Sequence, residues 1–194
     1  KNDITSLFSA FTIKGAQLLN SIGHRKIKIP SHEIANSELI DYSSKNFKFV
    51  YLSTGASSEK EVILANNILK EGNADYSLMH CVSSYPCEIE TINLPRIKWL
   101  KQMHSNVGFS DHTKNLHTPS IALALGAKVI EKHFTSDNNL PGRDNKFALN
   151  PEDFKIMCKN LFETSEMLTD FGNSFQESEK DIIENYRGRW NQKK

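Results

Sequence analysis

Six short runs rich in β-branched and aromatic residues, at positions 4–11, 26–29, 47–53, 76–81, 106–110 and 128–134, alternate along this chain with segments of helical periodicity. This βα repeat constrains the fold more than any other feature. Parallel strands separated by single helices either close into a barrel or open into a doubly wound sheet, and both place ligands at the carboxyl ends of the strands. A complete (β/α)8 barrel has eight such units in about 250 residues. Six units in 194 residues therefore predict an α/β fold of the TIM-barrel type in partial form.

The helices are well punctuated. Ser58 and Glu61 spell a capping box ahead of an apolar face formed by Val62, Ile63, Ala65, Ile68 and Leu69, and Gly72 can end that helix. Leu94, Ile97, Leu100 and Met103 repeat the pattern. Asn150-Pro151-Glu152-Asp153 reads as a helix start, with Phe154, Met157, Cys158, Leu161 and Phe162 as the stripe to be buried. These signals predict a barrel domain over residues 1–170. Residues 171–194 read as a charged C-terminal helix or the start of a linker, with Ile182, Ile183, Tyr186 and Trp190 on one face.

Composition narrows the function by exclusion. With 24 basic and 23 acidic residues spread along the chain, there is no general attraction for nucleic acid or an anionic membrane, so any anionic ligand must be captured locally. No apolar run approaches the roughly 18 residues of a membrane span, and the opening Lys1-Asn2-Asp3 lacks the apolar stretch of a signal peptide. A soluble, cytoplasmic protein is expected. Cys81, Cys87 and Cys158 match no zinc or redox spacing and read as buried or idle thiols. A lysine rather than methionine at position 1 suggests a chain that begins inside a longer reading frame or after processing.

The polar residues lie where the βα reading puts strand ends. They are Ser9; Lys28 with Ser31 and Glu33 in the following loop; Ser53-Thr54-Gly55; His80 to Pro86, containing Ser83 and Tyr85; Ser110-Asp111-His112; and Glu131-Lys132-His133, followed by a loop carrying Asp144. Hydroxyls, a lysine and glycine-adjacent backbone suit a small phosphorylated carboxylate, because each anionic oxygen accepts several hydrogen bonds. His112 and His133, at neighbouring strand ends, could ligate a divalent ion with open positions left for water or substrate. Asp144 could hold substrate hydroxyls or manage a proton. Plainer readings stand beside these: Lys28 as an ion-pair partner only, Ser53-Thr54-Gly55 as a turn only, Tyr85-Pro86 as loop geometry only. His80, inside a strand, reads as packed, and His24, His104 and His117 as ordinary loop or helix-end histidines.

Taken together, Leu52-Ser53-Thr54-Gly55, His80-Cys81-Val82-Ser83-Ser84-Tyr85-Pro86, Asn93-Leu94, Gly108-Phe109-Ser110-Asp111-His112-Thr113, Leu125-Gly126-Ala127 and Ile130-Glu131-Lys132-His133-Phe134-Thr135 resemble the sialic acid synthase family, which makes N-acetylneuraminate and related nonulosonates. The resemblance covers approximately residues 7–168. It implies a barrel with a Mn2+ or Mg2+ ion on His112 and His133. It also implies a phosphoenolpyruvate site using Lys28, Ser31, Ser53, Ser83 and Ser110, with Ser9 where threonine is usual. Glu33, Tyr85 and Asp144 would lie near an N-acyl hexose such as N-acetylmannosamine, and Lys28, Glu131 and Asp144 are the expected catalytic groups. The implied reaction adds the enol carbon of phosphoenolpyruvate to the sugar aldehyde; water adds to the oxocarbenium centre and phosphate leaves, helped by neighbouring carboxylates.

The chain departs from the family pattern at Pro30 and His32, which flank Ser31 where small residues are usual, and at Ser83, where some members have asparagine. Segments matching the family's first two strands and its C-terminal antifreeze-like domain are not found, although the complete protein would be a homodimer. Two further readings remain: an inactive fragment or remnant acting only through association, and another metal-dependent aldolase-like barrel.

Overall fold

Strands covered on both faces must be apolar runs, and this requirement places the strands close to where the sequence predicts them. The computed structural model describes residues 4–190. Its elements are α1 (Ile13–Ser21), β1 (Lys26–Ile29), α2 (Ser37–Asn46), β2 (Phe49–Ser53), α3 (Glu59–Glu71), β3 (Asp75–Cys81), α4 (Arg96–Met103), β4 (Val107–Asp111), α5 (Thr118–Ala124), β5 (Val129–Lys132), α6 (Pro151–Met167) and α7 (Lys180–Asn185). The five strands form one parallel sheet in sequence order, β1-β2-β3-β4-β5, the curved wall of a half-barrel.

The sixth expected strand, 4–11, is shorter than the sequence suggests. Only a parallel bridge between Ser9 and Lys28 forms there, through Lys28 N–H to the Phe8 carbonyl and Ala10 N–H to the Lys28 carbonyl, each 2.9 Å. This segment lies at the sheet edge with a neighbour on one side, so the ladder stops after one repeat. At the other edge the chain leaving β5 pairs with a later loop: Thr135 N–H donates to the Leu149 carbonyl and Leu149 N–H to the His133 carbonyl, both at 2.9 Å. That return brings the loop containing Asp144 back over the strand ends.

Alternation sorts the strand residues into two faces. Ile27, Ile29, Val50, Leu52, Leu78, Val107 and Phe109 are buried in the core with Leu39, Val62, Leu69, Ile97 and Leu100 of the helices. The opposite, concave face carries Lys28, Ser53, Cys81, Ser110 and Glu131. The hydrophobic core therefore lies between sheet and helices, and the chemistry lies inside the wall.

Helix starts follow the sequence signals. The Ser58–Glu61 capping box opens α3, and the Asn150 side chain accepts from Asp153 N–H at 3.0 Å at the start of α6. Two apolar stripes are corrected. On α3, Ile63 is exposed and the inward position belongs to Asn66, which accepts the Tyr76 hydroxyl proton at 3.0 Å. On α6 only Met157 is fully buried and Phe162 is 75% exposed, because among the described residues no further strand follows β5 for that face to cover. Residues 177–185 form a 3₁₀ turn and the short α7, and Trp190, beyond it in a turn, is 90% exposed. Among the described residues no helix is long and apolar enough to cross a membrane.

Candidate active site

A cavity of about 800 Å³ opens at the carboxyl ends of the strands. Ten of the residues singled out from the sequence line it: Ser9, Lys28, Ser31, Ser53, Tyr85, Ser110, His112, Glu131, His133 and Asp144. Its volume lies within the few hundred to roughly 1,000 Å³ typical of small-molecule sites. Two expected residues stand apart. Glu33 accepts from the Asn36 amide at 3.0 Å and does not line the cavity, since it follows Ser31 on a 3₁₀ turn that carries it toward α2. Ser83 lies in the loop behind Cys81, 3.8 Å from its sulfur, and lines a neighbouring cleft instead.

The centre of the cavity is an ion pair. Lys28 Nζ donates to both oxygens of Glu131, at 2.7 and 2.5 Å. The lysine side chain is 8% exposed and the carboxylate 45%, so the cation is buried while its partner faces the opening. Burial acts to raise the Glu131 pKa, but the Lys28 ammonium and hydrogen bonds from Lys28 and Ser110 outweigh it and hold the carboxyl below its usual range. Beside this pair the Ser53 and Ser110 hydroxyls meet at 2.9 Å. The Ser31 hydroxyl accepts from Gly55 N–H at 3.0 Å. Gly55 must be glycine here, because a Cβ would stand 2.5 Å from Ser83 Oγ and 2.9 Å from both Cys81 Sγ and Ser31 Oγ.

The two histidines meet as the strand ends predict. Their ring centroids are 5.3 Å apart, and Tyr85 lies over His112 at 4.2 Å. His112 Nδ1 lies 2.9 Å from the Val82 carbonyl, which sets Nδ1 as the N–H donor and leaves Nε2 as the available lone pair. Burial lowers the His112 pKa, with the Val82 bond opposing and the nearby His133 adding to the effect. His133 Nδ1 is 3.6 Å from Asp144 Oδ2. Among the described residues no three His, Cys, Asp or Glu side chains converge as a closed metal cage. His112 and His133 offer two imidazole donors that face each other in the cavity lining.

Sequence reasoning missed Cys81, Phe11, Pro30, His32, Lys132 and Arg143 in the lining. Cys81 was readable, since its period-2 spacing from Met79 puts it on the concave face. Burial pushes its thiol pKa up, against hydrogen bonds from Ser31 and Ser83 and the charge of Lys28, so it stays protonated at neutral pH. His80 is packed as expected: fully buried, bonded through Nε2 to the Ile92 carbonyl at 2.7 Å, and stacked on Phe109.

A parallel half-barrel wall with its polar cavity at the carboxyl ends of the strands defines the class, an α/β protein of the TIM-barrel type. The chain belongs to the NeuB family, which it matches over residues 1–173. It is 37% identical over 174 residues to the N,N'-diacetyllegionaminic acid synthase of Campylobacter jejuni, covering 88% of this chain and 52% of that one. It is 35% identical over 164 residues to the pseudaminic acid synthase of the same species, covering 84% and 48%. The crystal structure of N-acetylneuraminic acid synthetase from Leptospira borgpetersenii in complex with citrate superposes with a TM-score of 0.87 at 33% identity, over 95% of this chain and 65% of that one. The chain thus spans about half the length of the curated relatives it matches.

Proposed function

We propose that this chain provides the catalytic face of a nonulosonic acid synthase, which condenses phosphoenolpyruvate with an open-chain N-acyl hexose and releases phosphate. The observation that carries the reading is the convergence of the buried Lys28 ammonium, the Ser31, Ser53 and Ser110 hydroxyls and two imidazoles on one cavity. A locally built cation among hydroxyls is what a small, doubly anionic substrate requires on a protein with no general basic surface.

In this mechanism Lys28 and the three serine hydroxyls bind the phosphate and carboxylate of phosphoenolpyruvate. Glu131, ionised and facing the opening, stabilises positive charge at the carbon that water attacks. Asp144, across from His133, holds sugar hydroxyls or takes a proton from them. Tyr85, tilted over the His112 ring, covers one side of the site. His112 and His133 are the residues that would hold a manganese or magnesium ion, whose chemistry is the polarisation of a carbonyl oxygen. The terminal enol carbon bonds to the aldehyde carbon and becomes a methylene, while the aldehyde oxygen takes up a proton and becomes a hydroxyl; water adds at the carbon that carries the phosphate, gives up its protons, and phosphate departs by carbon–oxygen cleavage to leave the ketone.

Glu33 and Ser83 belong to this proposal as groups one loop removed from the cavity. The sugar is left as a class, N-acetylmannosamine or a diacetamido hexose, because the relatives named above differ in their product. A barrel domain over residues 1–170 followed by a charged C-terminal helix or the start of a linker over 171–194, a homodimeric complete protein and a cytoplasmic setting are parts of the same proposal. The test is phosphate release from phosphoenolpyruvate with a panel of N-acyl hexoses and Mn2+. Release that depends on one sugar and is lost in Lys28→Met supports the reading; aldol cleavage or condensation without phosphate release overturns it.

A further inference from the structure

The most fully enclosed ion pair that bears on the site is formed by side chains that turn away from the cavity, although Lys132 is part of its lining. Ser110 and Asp111 of β4 are in register with Glu131 and Lys132 of β5. Alternation turns Ser110 and Glu131 toward the cavity, and sends Asp111 and the Lys132 side chain to the other face, beneath the loop that joins β4 to α5. There Lys132 Nζ donates to Asp111 Oδ2 at 2.7 Å, to the Thr113 carbonyl at 2.6 Å and to the Asn115 carbonyl at 3.1 Å. The two side chains are 2% and 0% exposed.

The carboxylate is saturated in the same way. Asp111 Oδ1 accepts Thr113 N–H at 2.8 Å, and Oδ2 also accepts the Thr118 hydroxyl at 2.6 Å, at the first turn of α5. Residues 112–117 are therefore wrapped around a single ammonium, much as a loop is wrapped around a bound cation. An ion pair this deeply buried is poor evidence for net stability, because desolvating the two charges consumes most of their attraction. What it provides is geometry. The residue between Asp111 and Thr113 is His112, whose carbonyl accepts Cys87 N–H at 3.0 Å and whose Nδ1 faces the Val82 carbonyl at 2.9 Å. The residue after Lys132 is His133.

We propose that Lys132 and Asp111 are positioning residues: their buried pair ties the two strand ends together and fixes the loop so that His112 and His133 keep their facing geometry. Any ligand held by both imidazoles depends on this link. The metal arm of the test below rests on the function proposed above, whereas the spectroscopic arm does not.

The spectroscopic arm uses the protein without metal. In the unaltered chain, the His112 Nδ1 proton should give a slowly exchanging imidazole resonance, and the amides of Thr113 and Thr118 should exchange as slowly as those of β4. Fast exchange of these amides would overturn the proposal with no variant needed. In Lys132→Met, and in the double variant Asp111→Leu/Lys132→Met, which leaves no unpaired charge, a folded protein should lose the His112 resonance. Its retention at the unaltered shift in a folded variant also overturns the proposal. In the metal arm, Mn2+ titration of the folded double variant should show affinity lowered on the order of 10-fold or more. If the unaltered chain binds no Mn2+ but the spectroscopic arm holds, the metal reading fails and the positioning role stands.

Discussion

Lys28 and Glu131 lie 103 positions apart in sequence and join opposite ends of the sheet, the ammonium bridging both carboxylate oxygens at 2.5 and 2.7 Å. The pair is asymmetric, since the lysine is enclosed and the glutamate half open to the cavity. Removing either partner should therefore have unequal consequences. Glu131→Gln leaves a buried cation without a counter-charge and should cost about 1–3 kcal/mol of stability. Lys28→Met leaves a carboxylate that water can reach and should cost under about 1 kcal/mol. Phosphate release should show the opposite order, with Lys28→Met the more damaging, by on the order of 100-fold or more. Urea titration of both variants checks the stability order; equal losses would mean that the two ends of the pair are equally enclosed in solution.

Close packing between the central strands gives a second expectation. A Cβ added at Gly108 would stand 2.8 Å from the Val129 carbonyl and still closer to the Met79 side chain. The thioether can move, but the β5 backbone cannot without breaking its ladder to β4. Gly108→Ala should lose about 1–3 kcal/mol, and adding Met79→Ala should recover only part of it. Full recovery in the double variant would show that the methionine alone caused the strain.

His80 supplies a pH dependence. Burial pushes its pKa down to about 4 from the ordinary 6.5, the Ile92 carbonyl opposing, Arg96 adding and Asp111 opposing. Between those two values the unfolded chain binds a proton that the folded chain does not, so stability rises with pH in this window. Its contribution is fully present above pH 6.5 and is lost as pH falls toward 4. The expected loss is about 3 kcal/mol across the window. His80→Gln, whose amide can still donate to the Ile92 carbonyl, should show a flatter profile. Urea midpoints measured at several pH values decide it, and parallel profiles for the two proteins would remove His80 as the cause.

The βα order was legible because strand burial writes itself as apolar runs. His112 and His133 were legible because each closes such a run. The strand at 4–11 was overread: composition marks Ile4 to Phe11 as β-prone, but a ladder needs neighbours, and here only Ser9 and Lys28 bridge. Phe162 and Ile63 were misplaced for a related reason, since helical periodicity shows which residues share a face and leaves open what that face meets. The Asp111–Lys132 pair was hidden because its partners are 21 positions apart and become neighbours only through the β4–β5 register. Ser53 and Ser110, 57 apart, were read as separate strand ends whose contact depended on curvature that the sequence does not encode locally.

The uncovered side of the wall leads to the last expectation. Phe134 at 55% and Phe162 at 75% exposure lie on or beyond the β5 edge, and Phe8 at 47% and Phe11 at 51% flank the Ser9 edge. Apolar surface beside unpaired strand edges favours association. The 194-residue chain on its own should therefore associate with increasing concentration in the micromolar range and above. Phe134→Ser and Phe162→Ser should each weaken this without moving the His112 resonance, because neither side chain lines the cavity. Light scattering across a dilution series provides the check. A strictly monomeric chain at about 100 μM would show that these edges are covered in solution by the chain itself.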